Sequence, residues 1–389
     1  MIDRNMQSHL LEAAKGYPAL ALLGPRQSGK TTLAQTTFPK HKYISLENFD
    51  QRAFAIEEPR RFLQLLENEY GIILDEIQHT PQLLSYIQTE IDAHDRPGYF
   101  ILTGSQNFTI QGSISQSLAG RIALFTLLPL SNRELDQAKL LPDQAQQLVF
   151  QGGYPRTYNK KINPANWYDN YIQTYLEQDV RQITQVSNLM TFNRFLKLCA
   201  GRTGQILNLS SLATDCGISH TTANAWLSIL EASYIVFLLQ PYHKNFNKRL
   251  IKSPKLYFYD TGLACALLGI DSVEQLSTHY LYGGLFESMV ISEIIKECFN
   301  QNRRPHVYFW RDSHGHEVDC IIEKGIDLRP IEIKSGQTIN SGFFTGLKWW
   351  NELTKSQPED SFLVYGGLEE QARSNGKVRS WRNLSDLIR

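Results

Sequence analysis

The sequence predicts an α/β protein whose first third holds a mostly parallel sheet, with a helical stretch in the middle and a smaller α/β unit at the end. Three observations predict it. Short apolar runs alternate with helical patterns as far as residue 130, as in β-α-β units. Residues 131–204 carry apolar and aromatic side chains at three- and four-residue steps, the stripe of packed helices. Beyond residue 262, a helical pattern leads into strands of period two. A chain of 389 residues with 42% hydrophobic and 20% charged residues has enough apolar side chains for two or three cores.

Several classes are excluded at this level. No run approaches the roughly 18 apolar residues of a membrane helix, and the polar, amphipathic start lacks the apolar core of a signal peptide. Five scattered cysteines without a C-x-x-C pair suit reduced thiols, so a cytoplasmic location is expected. A net charge of +0 means that any nucleic-acid binding must come from a local patch.

The first strand is the buried run "ALALL". It enters "GPRQSGKT", Gly24 to Thr31, which fits G-x-x-x-x-G-K-[ST] at each fixed position, and a helix pattern follows. Glycines let the backbone wrap closely around phosphates, and the positive end of the new helix faces the anion. Gly24, Pro25, Arg26, Gln27, Ser28, Gly29, Lys30, Thr31 and Thr32 are therefore candidate nucleotide-binding residues. Lys30 reaches for the β- and γ-phosphates, and the Thr31 hydroxyl is placed for Mg²⁺.

The strand "IILD" ends in Asp75 and Glu76. Asp75 is the expected metal partner, and Glu76 the group that orients or deprotonates the attacking water. "GYFILTGS" ends in Thr103 and Ser105, candidate γ-phosphate sensors. Arg121 stands before the last strand of this unit, "IALFT". It is either a solvated charge or a finger arginine, acting in cis or on a neighbouring copy in a homo-oligomer.

In the middle, "QGGYPR" interrupts the helices as a turn. Two short helices, around Ser210 and from His220 to Ala232, then precede two extended runs joined by a basic loop. That is a winged helix-turn-helix in outline. His220, Thr221 and Asn224 on the second helix give thin support for base reading. The loop offers Lys244, Lys248, Arg249, Lys252 and Lys255 with no acid among them, a patch for the DNA or RNA backbone. A solvated hairpin or a docking module is the alternative.

In the last third, an amphipathic helix bears Glu287, and a hairpin strand places Asp319 between Val318 and Cys320, which face away from it. Glu332 and Lys334 share a face of the next strand. Asp319 and Glu332 could hold a second divalent cation and Lys334 could orient water, or E-x-K could be an exposed ion pair. His314, His316 and Cys320 match structural zinc spacings poorly.

"GPRQSGKTTL", "LDEIQ", "LTGSQ" and "LAGRI" in this order resemble the prokaryotic AAA-type ATPases, of the AAA+ class, with a C-terminal half of unknown function. Asp319, Glu332 and Lys334 resemble the PD-(D/E)xK nuclease-like fold. The resemblance implies ATP and Mg²⁺ as cofactors. It implies a P-loop NTPase domain over 1–130, helices over 131–204, a winged helix over 205–262 and a nuclease-like α/β domain over 263–389. By resemblance, Arg4 lies near the nucleotide, Glu287 completes the nuclease-like site, and Arg156 and Arg181 reach the nucleotide or a subunit boundary, the alternative for these two being a structural turn and an ordinary charge pattern. Three functions remain open: an ATP-hydrolysing switch or motor on nucleic acid, an ATP-gated metal-dependent nuclease, and an ATP-switched signalling or scaffold protein with an inactive nuclease-like domain.

Overall fold

The computed structural model describes residues 2–105, 117–159, 162–176, 189–242 and 251–388. Five strands, β1 (Ala19–Leu23), β2 (Lys42–Ser45), β3 (Ile72–Asp75), β4 (Phe100–Gly104) and β5 (Ile122–Thr126), form one sheet in the order β2-β3-β4-β1-β5. Every pair is parallel. A parallel sheet needs cover on both faces. Alternate residues of β1 supply it: Ala19, Ala21 and Leu23 enter one apolar cluster, and Leu20 and Leu22 the other.

The parallel arrangement decides where loops gather. Residues that follow a strand lie at one edge of the sheet, and residues that precede a strand lie at the opposite edge. Gly24–Thr31 follows β1, and Asp75–Glu76 and Thr103–Ser105 stand at the ends of β3 and β4, so they meet. Arg121 precedes β5 and does not.

Beyond the sheet, the helix Asn132–Gln137 begins with a capping box between Ser131 and Glu134. Helices Ala145–Gln151, Pro155–Asn159, Pro164–Tyr171 and Leu189–Ala200 follow. Tyr154, Trp167, Tyr168 and Tyr171 pack their rings together among them. Next come β6 (Gln205–Ile206) and the helices Leu209–Cys216 and His220–Ala232, capped by Asn208 and Ser219. Between these helices Gly217 adopts φ 70°, a left-handed turn that glycine enters freely. β7 (Val236–Leu239) and β8 (Lys255–Phe258) complete a small antiparallel sheet in the order β6-β8-β7.

The helix Tyr282–Asn300 reads as amphipathic in sequence, yet its polar Ser288, Ser292, Glu293, Lys296 and Glu297 are also buried. The reason is its position between the middle helices and a six-stranded mixed sheet. That sheet contains β9 (Val307–Arg311), β10 (Glu317–Lys324), β11 (Asp327–Lys334), β12 (Phe362–Tyr365), β13 (Gln371–Arg373) and β14 (Gly376–Ser380), in the order β13-β14-β12-β11-β10-β9. One hydrophobic cluster runs from Leu128 to Ile388 and joins the middle helices to the last sheet, whose other face carries two smaller clusters around Trp310 and Phe344. The Tyr242 amide donates to the Phe309 carbonyl at 2.7 Å and ties the small sheet to β9. Among the described residues, no helix is long and apolar enough to cross a membrane.

Candidate functional site

The loop after β1 owes its shape to two glycines. Gly24 has φ 150°, and a Cβ there would lie 2.1 Å from the Leu127 carbonyl oxygen. Gly29 has φ 97° and caps the helix Lys30–Thr37, so amides at the start of that helix turn towards the loop. Lys30 is buried. Its Nζ donates to the carbonyls of Gly24 at 3.1 Å and Pro25 at 2.8 Å, which folds the ammonium into the loop.

Asp75 ends β3 in a set of hydroxyl donors. Thr31 Oγ1 donates to its Oδ1 at 2.8 Å and Tyr43 Oη to its Oδ2 at 2.9 Å. Thr103 Oγ1 also donates to Oδ1. Burial, then the bond to Asp75, pushes the Tyr43 phenol up to about 12. Tyr43 was not singled out from the sequence, because only the pairing of β2 with β3 brings it to Asp75.

Glu76 has φ 58°, a backbone state that costs a non-glycine residue about 1–3 kcal/mol and is characteristic of functional sites. Ser105 Oγ donates to Glu76 Oε2 at 3.1 Å, and Gln78 Nε2 donates to the same oxygen. Burial opposes its charge, but Lys30, Gln78, Arg26 and Ser105 outweigh burial and hold its pKa below the ordinary carboxylate value. Glu76 is thus an anion at neutral pH beside the loop lysine. Thr103 and Ser105, the candidate phosphate sensors, hydrogen-bond the two acids.

A cavity of about 440 Å³ opens over Lys30, Thr31 and Glu76, with Arg26 and Arg156 on its wall. A second, of about 300 Å³, adjoins it and shares Gly29, Thr32, Pro155 and Asn159. Both fall in the size range of small-ligand sites. Arg156 is exposed at the start of the helix Pro155–Asn159. Arg4 is buried beside the second cavity. Its Nε pairs with Glu134 Oε1 at 3.0 Å, and its two terminal nitrogens donate to the carbonyls of Ser28 and Leu128 at 2.7 Å each. It clamps the loop rather than reaching into open space.

The structure places Arg121 away from the loop, as a partly exposed charge paired with Asp92. It lies at the far edge of the sheet, next to Ile122, which pairs with Ala19 at the start of β1. The five residues of a strand put it on the order of 15 Å from the loop. Its Nε contacts Asp92 at 2.5 Å. A finger role within the same chain is excluded by the direction of β5.

In the C-terminal unit, Asp319 sits at a β-bulge between Val318 and Ile321. The bulge sends Val318 and Cys320 into different apolar clusters, whereas the sequence pattern put them on one face. Asp319 Oδ2 accepts from the Ile333 amide at 2.8 Å and from Lys334 Nζ at 3.1 Å. Lys334 also pairs with Glu332 at 2.7 Å. Lys255 Nζ lies 3.0 Å from Glu287 Oε1 and pairs with Glu317 Oε1. Tyr257 Oη donates to Glu287 as well. Burial pushes Glu287 up to about 7 against the pull of Lys255, and burial with Asp319 pushes Glu332 up to about 8.

Lys255 corrects the sequence expectation. It is 3% exposed, not a surface member of the basic loop, because it is the first residue of β8 and its ammonium turns to Glu287 and Glu317. Lys252 is exposed. Lys244, Lys248, Arg249 and Arg181 lie outside the described residues. Among the described residues, no three His, Cys, Asp or Glu side chains are grouped to hold a metal ion. His314, His316 and Cys320 do not form such a group. His316 bonds Asp312 at 2.9 Å and stacks on Trp349, while Cys320 is buried.

With this geometry in hand, comparison with known proteins places the chain. An uncharacterized protein of Mycobacterium tuberculosis is 30% identical over 341 residues, which spans 86% of this chain and 74% of that protein. The chain belongs to its family. Residues 16–136 match the AAA domain, and two domains of unknown function match residues 142–274 and 282–384. Solved structures similar to this family member include the Walker-type ATPase of Pyrococcus abyssi, at 17% identity and a TM-score of 0.47, covering 69% of this chain and 96% of that one. AMPPCP-bound DnaA from Aquifex aeolicus is similar at 15% identity and a TM-score of 0.31, covering 58% and 85%. The first third of this family member is an AAA-type P-loop domain, followed by a helical region and a C-terminal mixed sheet.

Proposed function

We propose that this chain binds and hydrolyses ATP and that its nucleotide state governs the C-terminal half, acting on nucleic acid. The observation that carries the reading is the convergence of Lys30, Thr31, Asp75 and Glu76 at one edge of the parallel sheet, where Lys30, Thr31 and Glu76 line a cavity of about 440 Å³. Lys30 binds the β- and γ-phosphates, and Glu76 orients the attacking water. The hydroxyl of Thr31 and the carboxylate of Asp75 are adjacent oxygens, the donors a hard cation takes. They fit Mg²⁺, which when bound neutralises phosphate charge. Lys30→Ala should abolish ATP binding. Glu76→Gln should keep nucleotide affinity and lose turnover by on the order of a hundredfold or more. ATP hydrolysis by Lys30→Ala at the wild-type rate would reject the reading.

The nucleic-acid part has separate support. The winged-helix reading is supported by the helices Leu209–Cys216 and His220–Ala232 with β7 and β8 after them, and Lys252 stands exposed before β8. Phosphate contacts predict binding that weakens as salt rises. Absence of DNA and RNA binding at low salt would remove this part alone. A second reading, an ATP-switched scaffold with an inactive nuclease-like domain, is favoured by the pairing of Asp319 and Glu332 with Lys334. The same pairing weighs against the ATP-gated nuclease.

A further inference from the structure

The acidic cluster of the C-terminal unit has the residue types of a divalent-cation site and a different construction. We infer that its cation is part of the chain: Lys255 fills the cluster in place of a metal ion and thereby latches β8 onto the helix Tyr282–Asn300 and onto β10.

Geometry carries the inference. Lys255 and Tyr257 are two residues apart on β8, so they share a face, and both reach Glu287. The Lys255 ammonium lies between Glu287 of the helix and Glu317 of β10. An ammonium brings three donors. Glu317 turns its other oxygen to Arg311 Nη1 at 3.0 Å. Asp319 is held by the Ile333 amide and Lys334, and Glu332 by Lys334. Glu287, Glu317, Asp319 and Glu332 thus face Lys255, Lys334 and Arg311, four acids against three bases. Little negative charge is left for a divalent ion, which also needs several oxygens at about 2.0–2.6 Å. A lysine this deeply buried, at 3% exposure, is not a solvated charge that an ion displaces without cost.

The test uses the full-length, nucleotide-free chain titrated with MnCl₂, with bound Mn²⁺ read by electron paramagnetic resonance. It is separable from the phosphate-loop reading because every chain compared keeps Thr31 and Asp75, so any ion held there is common to all of them. Wild type and Asp319→Asn should be indistinguishable, with no ion held by the cluster at millimolar Mn²⁺. Lys255→Met should take up one ion per chain, and Mn²⁺ should raise its unfolding temperature while leaving the wild type unmoved. Uptake by the wild type that disappears in Asp319→Asn overturns the inference. So does a folded Lys255→Met chain that takes up none. If Lys255→Met alone does not fold, the charge-matched Lys255→Met/Glu287→Gln chain should fold without metal. Its failure to do so would equally overturn the assignment.

Discussion

Replacing Arg4 by methionine tests how the nucleotide loop is held. The side chain makes three buried contacts, to Glu134, to the Ser28 carbonyl inside the loop and to the Leu128 carbonyl after β5. Glu134 is 0% exposed, so losing Arg4 leaves a buried carboxylate bonded by the amides of Asn5 and, within the capping box, Ser131. Removing one partner of a buried ion pair costs about 3–5 kcal/mol. We take that range for the whole side chain, because contacts made by one group are not additive. Set against a typical domain stability of about 5–15 kcal/mol, this is a large loss. Urea unfolding of Arg4→Met, Glu134→Gln and the double variant measures it. The double variant should be less damaged than the sum of the singles by at least about 1 kcal/mol. Affinity for a fluorescent ATP analogue should fall in parallel, because the Ser28 carbonyl is released. Arg4→Lys, with one charged donor group and no fork, should fall between. Additive single effects, or an Arg4→Met chain as stable as the wild type, would refute the clamp.

The remaining predictions concern neighbouring parts of the molecule. Thr103→Val removes one hydroxyl from Asp75 and the acceptor of the Glu76 amide. A charge-assisted bond of about 1.5–3 kcal/mol should appear as roughly a ten- to hundredfold fall in kcat, read by phosphate release. Burial and then Glu293 raise Glu297 from 4.5 to about 7, with Arg133 opposing. Between those values the folded chain holds a proton that the unfolded chain has lost, so stability falls as pH rises and the loss is complete above about 7. Glu297→Gln should leave stability at pH 4 unchanged and raise it at pH 8, by at most roughly 3 kcal/mol, measured by thermal unfolding at both values. Asp260→Asn weakens the acceptor of the Gly153 amide. It should reduce ATP affinity without touching the cavity, which a binding titration reads.

What was legible in the sequence was what is local. The loop Gly24–Thr31 and the pair Asp75–Glu76 each fit within a few residues, and a strand before them is enough to place them at one edge of a parallel sheet. The strand directions also carry information about Arg121, since a residue that precedes a parallel strand stands opposite one that follows it. Partners across the fold were not legible. Tyr43 reaches Asp75 through the pairing of β2 with β3. Lys255 is one of several cations in a stretch without acids, and nothing nearby shows that Glu287 and Glu317 will enclose it. The bulge at Asp319 likewise breaks a period-two pattern that Val318 and Cys320 otherwise satisfy.

β8 connects the two candidate sites. Its first residue, Lys255, lies in the acidic cluster, and Asp260 follows two residues after its end. Asp260 accepts from the Gly153 amide at 2.7 Å, from Tyr168 Oη at 2.7 Å and from the Leu263 amide at 3.0 Å. The Gly153 carbonyl accepts from the Leu130 amide at 2.7 Å, and Lys296 of the Tyr282–Asn300 helix donates to the Leu130 carbonyl at 3.1 Å. A Cβ on Gly153 would lie 2.6 Å from that carbonyl oxygen, so this crossing admits only glycine without a shift. Two residues later, Pro155 and Arg156 form the wall of the cavity over Lys30. A displacement at that wall therefore meets a short strand anchored at both ends by buried charge, Asp260 at one and Lys255 at the other. Such an element transmits force only if both anchors hold, which is why neutralising either of them should separate the behaviour of the two halves.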